Sequence, residues 1–298
     1  MSISEYFGNK IEQEKKYYFN EDVESPLQEF KKISNALKLN GLVIAKPGQT
    51  SFATKALPGY YVGKRDAQTV MVMLNHGIDV CKANNNLQKD IITRGMGSIN
   101  DVNNYHKSSA NFGHFDKNRY DVFDVKVAFF IKNWPNNGIS LPAGLCPQCN
   151  KQTKLDAKEA VLTDKLQLEL IPYASSQFKG FDKKRISEVF PFVDILFDEI
   201  FSCDRKYVIF CSRFFEQVFK AYEKAHPGHI KFRNINVPPK CTIPNLKFQV
   251  SCHVIEITYN GKTMKAIIAN TFPNQSLTNA YDRMEDYGKF CYQEYIKP

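Results

Sequence analysis

The chain is organised by apolar runs that stop abruptly. Residues 69–74 read Thr-Val-Met-Val-Met-Leu and then break into Asn75-His76-Gly77, with Asp79 two residues further on. An unbroken apolar run of this length predicts a strand covered on both faces, as at the centre of a parallel sheet. Residues 166–172 alternate, turn apolar and stop at a proline, after which come Tyr173, Ser175 and Ser176. A third buried strand is predicted over 207–211. It runs through Ser212 into a helix over 214–225 whose apolar face holds Phe215, Val218, Phe219 and Tyr222. Strands over 248–257 and 264–269 are joined at Tyr259-Asn260-Gly261, a strong hairpin signal. The second stops at Asn270, and a helix over 277–292 follows.

The rest of the chain is less regular. Leu27, Phe30, Ile33 and Leu37 predict an amphipathic helix ended near Asn40-Gly41, and 42–45 a short strand. Residues 57–63 (Leu-Pro-Gly-Tyr-Tyr-Val-Gly) read as a punctuated loop. Residues 82–125 read as a long polar connection carrying His106, Phe112, His114, Phe115 and Tyr120. A loop of that length inside a domain is usually a lid or a binding loop, and the alternative is a surface segment anchored by a few apolar contacts. Residues 122–131 fit helix or strand, 133–165 read as loop, and 183–201 as an apolar helix started or interrupted at Pro191. Residues 226–246 read as a basic, proline-containing connection. Strands alternating with helices predict an α/β fold: a three-layer α/β/α sandwich with a mostly parallel central sheet. The expectation is one domain over 1–298, with an N-terminal helical extension over 1–45. If the strands are parallel neighbours, the breaks after 74, 172 and 269 open on one edge, where open α/β sheets hold their ligands.

Composition changes this picture little. The 298 residues are 43% hydrophobic and 24% charged, ordinary for a globular chain, with 23 Phe and 15 Tyr against one Trp. A net charge of +9 leans towards a polyanionic partner. The opening Met1-Ser2-Ile3-Ser4-Glu5 lacks a basic-then-apolar leader and no apolar run reaches membrane-spanning length, so a cytoplasmic protein without membrane association is expected. Eight cysteines are too sparse for a disulfide scaffold, and Cys211 and Cys252 read as buried thiols within strands. Cys146 and Cys149 supply two of the four ligands of a structural zinc and no second pair lies at finger-like spacing, so neither metal nor cofactor is expected. Nothing in the chain forms a phosphate-binding glycine loop or a dinucleotide fingerprint.

Residues 57–63 followed by a strand and Leu74-Asn75-His76-Gly77 resemble the first motif of the uracil-DNA glycosylase-like superfamily, in which a strand ends in Asn-Pro-Gly. Leu170-Ile171-Pro172-Tyr173-Ala174-Ser175 is similar to a second segment of its bacterial members. Asn270 to Ser276 stands where the family has its DNA-inserting loop. The resemblance covers residues 57–292 and implies a glycosylase-like core there. Two departures stand out: His76 replaces the usual proline, and the last segment opens on Asn270-Thr271-Phe272-Pro273 without the family's histidine.

The resemblance implies a monofunctional DNA glycosylase, monomeric and acting on DNA, that turns a base out of the stack and breaks its bond to deoxyribose with water. Such chemistry needs a group that holds water, hydrogen bonds to the departing base and a surface that grips phosphate. Asn75 is the family's choice for the water; Asp79 is the stronger base and would steady a positive sugar. Tyr60, Tyr61, His76, Gly77, Tyr173, Ser175, Asn274 and Ser276 are candidate substrate contacts, and Leu277 a candidate wedge into the stack. Each has a plainer reading: a turn at Asn75, a helix cap at Asp79 or Ser175, core packing for the tyrosines and Leu277. The altered motifs favour a modified or non-standard base, with defence against phages carrying modified DNA as a setting. The alternatives are a non-catalytic nucleic-acid-binding protein on the same fold and a nucleoside or nucleotide hydrolase.

Overall fold

The computed structural model describes residues 61–74, 122–171, 183–238, 241, 251–270 and 281–298. In chain order the elements are β1 (Tyr61–Gly63), β2 (Thr69–Met73), α1 (Val122–Ile131), α2 (Lys151–Asp164) and β3 (Leu166–Glu169). A 3-10 turn (Lys183–Val189) runs into α3 (Phe190–Ile200), followed by β4 (Tyr207–Phe210), α4 (Phe214–Ala225), β5 (Ile230–Ile235), β6 (Cys252–Tyr259), β7 (Lys262–Ala269) and α5 (Tyr281–Ile296). The described residues fall into two compact units. The smaller holds residues 61–62, 74, 168–171 and 183–202; the larger holds 63–73, 122–167 and the described residues from 203 onward.

The described strands lie in the order β1-β3-β2-β4-β7-β6-β5, and each has residues in the larger unit. β2 pairs parallel with β4, and β4 with β7. β6 lies antiparallel to both β7 and β5, so among these five strands it alone runs against the others. The class is α/β with a mixed sheet, as the alternation of strands and helices predicts. The β6–β7 hairpin turns on Asn260 and Gly261, both at positive φ (48° and 75°), the conformation that an Asn-Gly pair accepts readily.

Period-two alternation sorts the larger unit's core by face. Met71, Tyr207, Ile209, Val254 and Ile267 join one cluster with Phe129, Phe130 and Trp134 of α1 and its following turn, Val161 of α2, and Met284 and Tyr287 of α5. On the other side of β4, Phe210 packs on Phe215 and Phe219 of α4, ring centroids 5.0 and 4.8 Å apart. On the first face α1 and α5 cross almost backbone to backbone. A Cβ added at Gly288 would lie 1.8 Å from the Phe130 carbonyl oxygen, and the Trp134 indole donates to the Gly288 carbonyl at 2.9 Å. Tyr207 donates to the Pro135 carbonyl at 2.8 Å, and burial followed by its neighbours Tyr292 and Tyr295 pushes its phenol up to about 12. Beside this cluster Lys165 and Asp124 form a fully buried ion pair.

Several segments differ from the sequence expectation. Residues 151–164, read as loop, form α2: Asn150 caps it by accepting from Thr153 N at 2.8 Å, and Ala157, Lys158, Val161 and Leu162 make its buried face. Residues 230–235, read as a solvated connection, form the edge strand β5. Residues 61–63, read as loop, form β1, where Gly63 (φ 93°) is required because a Cβ would meet the Lys165 carbonyl oxygen at 2.2 Å. Residues 122–131, which the pattern left open, are helical, and the helix read over 183–201 is a 3-10 turn followed by α3, with Pro191 in its first turn. Cys252, in β6, and Cys211, directly after β4, are both buried, as expected; the strand read over 207–211 ends one residue earlier. The expected elements at 27–37 and 42–45 lie outside the described residues.

Candidate functional site

The geometry that bears on function is the carboxyl edge of the parallel strands. Cys211 N donates to the Val72 carbonyl at 2.8 Å, and the registers Val72↔Phe210 and Phe210↔Ile268 bring the ends of β2, β4 and β7 to one edge of the larger unit. From β2 the chain proceeds through α1 and α2 to β3, on one side of β2. From β4 it proceeds through α4 to β5, at the opposite end of the sheet. α1 and α2 join the cluster on one face, whereas α4 covers the other. The carboxyl ends of β2 and β4 therefore flank a topological switch point, the place where diverging connections leave a crevice in an open α/β sheet.

In the smaller unit Ile171 N donates to the Leu74 carbonyl at 2.8 Å. The chain leading to Tyr173 is thus tied to the chain leading to Asn75. The candidates Tyr60, Asn75, His76, Gly77, Asp79, Tyr173, Ser175, Asn274, Ser276 and Leu277 themselves lie outside the described residues, and Tyr61 is placed only as the first residue of β1. Within the larger unit the ends of β2 and β7 share an edge, and within the smaller unit residues 74 and 171 are hydrogen-bonded.

The described part of the larger unit's edge has its own chemistry. Asn270, at the end of β7, accepts from Ser251 N through Oδ1 at 2.9 Å, and Tyr287 donates to the Ser251 carbonyl at 2.8 Å. Ser212, at the exit of β4, accepts from Phe214 N at 3.2 Å, one residue before Arg213, the N-cap of α4. One in-register row, Val72–Phe210–Ile268–His253–Asn234, crosses five strands on the α4 face. His253, only 8% exposed, has Nδ1 2.9 Å from Oδ1 of Asn234. Its Nε2 lies 3.1 Å from Oε2 of Glu216, in the first turn of α4, without the alignment of a hydrogen bond. Glu216 also meets Lys220 (2.5 Å) and Arg213 (3.8 Å).

Burial pushes His253 below its ordinary value of 6.5; Glu216 pulls it back, and Lys220 and Arg213 reinforce the drop. For Glu216, burial raises the pKa, but Lys220, His253 and Arg213 together outweigh it and hold the carboxyl below its ordinary value of 4.5. This titratable pair sets a buried imidazole against a partly buried carboxylate, and perturbed groups of this kind tend to concentrate at functional sites. Sequence reading passed over it, although His253, a titratable residue between Cys252 and Val254 in an apolar run, was the available signal.

Cys146 and Cys149 are free and share a turn closed by Cys149 N to the Cys146 carbonyl at 3.0 Å. Among the described residues no group of three or more His, Cys, Asp or Glu side chains is arranged to hold a metal, and no helix is long and apolar enough to cross a membrane. No family model, curated protein or solved structure matches this chain.

Proposed function

We propose that this protein is a cytoplasmic, monofunctional DNA glycosylase that hydrolyses the bond between deoxyribose and a modified or non-standard base, serving defence against phages with modified DNA. The observation that carries the reading is the parallel edge of the larger unit, at which two of its three motif segments begin. In the larger unit the strands that lead to Asn75 and to Asn274 end on one edge, flanking β4. In the smaller unit the strand end that leads to Tyr173 is hydrogen-bonded to the one that leads to Asn75. A water-holding group, base contacts and a DNA-facing loop have to converge for a base to be released in one pocket, and a parallel edge beside a switch point provides such convergence.

In this reading Asn75 or Asp79 orients the attacking water, a polar contact from Tyr173 or Ser175 meets the extruded base, and 274–277 fill the space it leaves. The chain's positive charge grips phosphate, and a three-layer arrangement surrounds the pocket. The test is mass spectrometry of DNA treated with the protein, searching for a released base and the matching abasic site. Replacing a positioned water-holding group should slow release by about 10²–10⁴-fold. Release that survives loss of both Asn75 and Asp79 would sink the assignment. Salt-sensitive DNA binding with every base still attached would support the non-catalytic alternative.

A further inference from the structure

We propose that Glu216, His253 and Asn234 form a two-state proton clasp between the first turn of α4 and the β5–β6 pair, in which proton uptake by the imidazole is coupled to turning over of the Asn234 amide.

The reasoning starts from donors and acceptors. Nδ1 of His253 faces Oδ1 of Asn234 at 2.9 Å, and Nε2 faces Oε2 of Glu216 at 3.1 Å. Two acceptors call for two N–H donors, which only the charged imidazolium has. A neutral ring has one. With the proton on Nδ1, a lone pair would face the Glu216 carboxylate; with the proton on Nε2, a lone pair would face the Asn234 oxygen. The second conflict has a remedy, because rotating the Asn234 amide by half a turn presents its NH₂ to Nδ1. The clasp therefore has two states in which no lone pairs face one another: a charged ring with the amide oxygen inward, and a neutral ring with its Nε2–H towards the Glu216 carboxylate and the amide nitrogen inward.

The charges facing the ring set which state prevails. From α4 come one carboxylate, Glu216, and two cations, Lys220 and Arg213, both already paired with it. From β5 comes Asn234, and Lys220 also sits 5.8 Å over the Phe232 ring of that strand. From β7 the in-register neighbour is apolar Ile268. A charged His253 would be the third cation on one carboxylate and the most buried, so the neutral state holds near pH 7 and acid drives the exchange. α4 follows β4 by way of Cys211, Ser212 and Arg213, so a change in the clasp reaches the carboxyl edge of the sheet. The clasp stands whether or not the chain is a glycosylase.

The test is ¹⁵N and ¹H NMR of the imidazole and side-chain amide resonances of the full chain between pH 8 and pH 5. The expected result is an Nε2–H neutral ring at high pH and a single midpoint below 6.5 at which the His253 ring and the Asn234 side-chain amide move together. Asn234→Asp removes the NH₂ and adds a second carboxylate, so its midpoint should rise by at least about one pH unit, tenfold in proton affinity. Glu216→Gln should lower the midpoint. An Asn234 amide that stays still while His253 titrates, or an Asn234→Asp midpoint equal to that of the parent chain, would overturn the clasp.

Discussion

The two faces of the larger unit's sheet differ in kind. The face under α1, α2 and α5 is closed by rings and thiols: Trp134 meets Phe130, Tyr207 and Tyr292, and Cys291 lies 3.5 Å from Cys252, sulfur to sulfur. The face under α4 is equally apolar at Phe210, Phe215 and Phe219, but at the carboxyl edge it gives way to Glu216, His253 and Asn234. One face spends its burial on packing. The other admits an ionisable network with one buried member, His253, whose burial weakens the structure unless its ring nitrogens are satisfied. The difference locates where the sheet can respond to solution conditions and where it can only hold or fail.

That contrast can be broken from its strongest point downward. Trp134→Ala on the closed face removes a buried ring and an indole hydrogen bond, and should cost about 3–5 kcal/mol in denaturant unfolding. A loss under 1 kcal/mol would mean that the face is not the structural centre described. Asp124→Asn leaves Lys165 buried without its carboxylate, and breaking such a pair costs about 3–5 kcal/mol; the same unfolding experiment reads it. Gly288→Ala must push α5 off α1, and overpacking of this kind costs about 1–3 kcal/mol. If its melting temperature matched the parent's, the close crossing would be wrong.

On the α4 face the expected effect depends on pH. His253 titrates lower in the folded chain than its ordinary 6.5, so the folded state binds the proton less readily than the unfolded one. Its contribution is therefore intact above about pH 6.5, falls as the pH drops from there through the folded value, and levels off below it. Glu216 acts at lower pH with the same slope, its contribution lost as the pH drops from about 4.5 through its lower folded value. Denaturant unfolding between pH 8 and pH 5 should show the first slope and lose it in His253→Gln. The smallest effect belongs to the surface: Lys289→Ala, which removes a half-exposed partner of Glu285, should change stability by no more than about 0.5 kcal/mol.

The central strands were legible because burial on both faces leaves little room for polar residues, as at Val70, Met71 and Val72. α2 was not, because its buried face is only Ala157, Lys158, Val161 and Leu162, and the turn chemistry at Cys146-Pro147 just before it masked Asn150 as a cap. β5 was missed because an edge strand needs only one good face: Lys231 and Arg233 interrupt the apolar signal that Ile230 and Phe232 supply. That β2 and β7 end on one edge could be anticipated from the polar breaks after them, but not the order that sets β4 between them. The His253 network was legible in one residue of three, since Glu216 and Asn234 reach it only through the fold.

The position of β7 has a consequence for how the chain acquires this structure. Last among the described strands to be synthesised, it lies between β4 and β6, and α5, later still, brings Tyr287 and Cys291 into the first face's core. Until residues 262–296 are available, β4 has an open edge and the rings of α1 lack the cover of α5. Pairings between strands so distant along the chain delay folding and prolong the lifetime of exposed strand edges. A ribosome-bound chain stopped before residue 262 would therefore hold its sheet unfinished, and release of the final segment is the step on which its escape from aggregation turns.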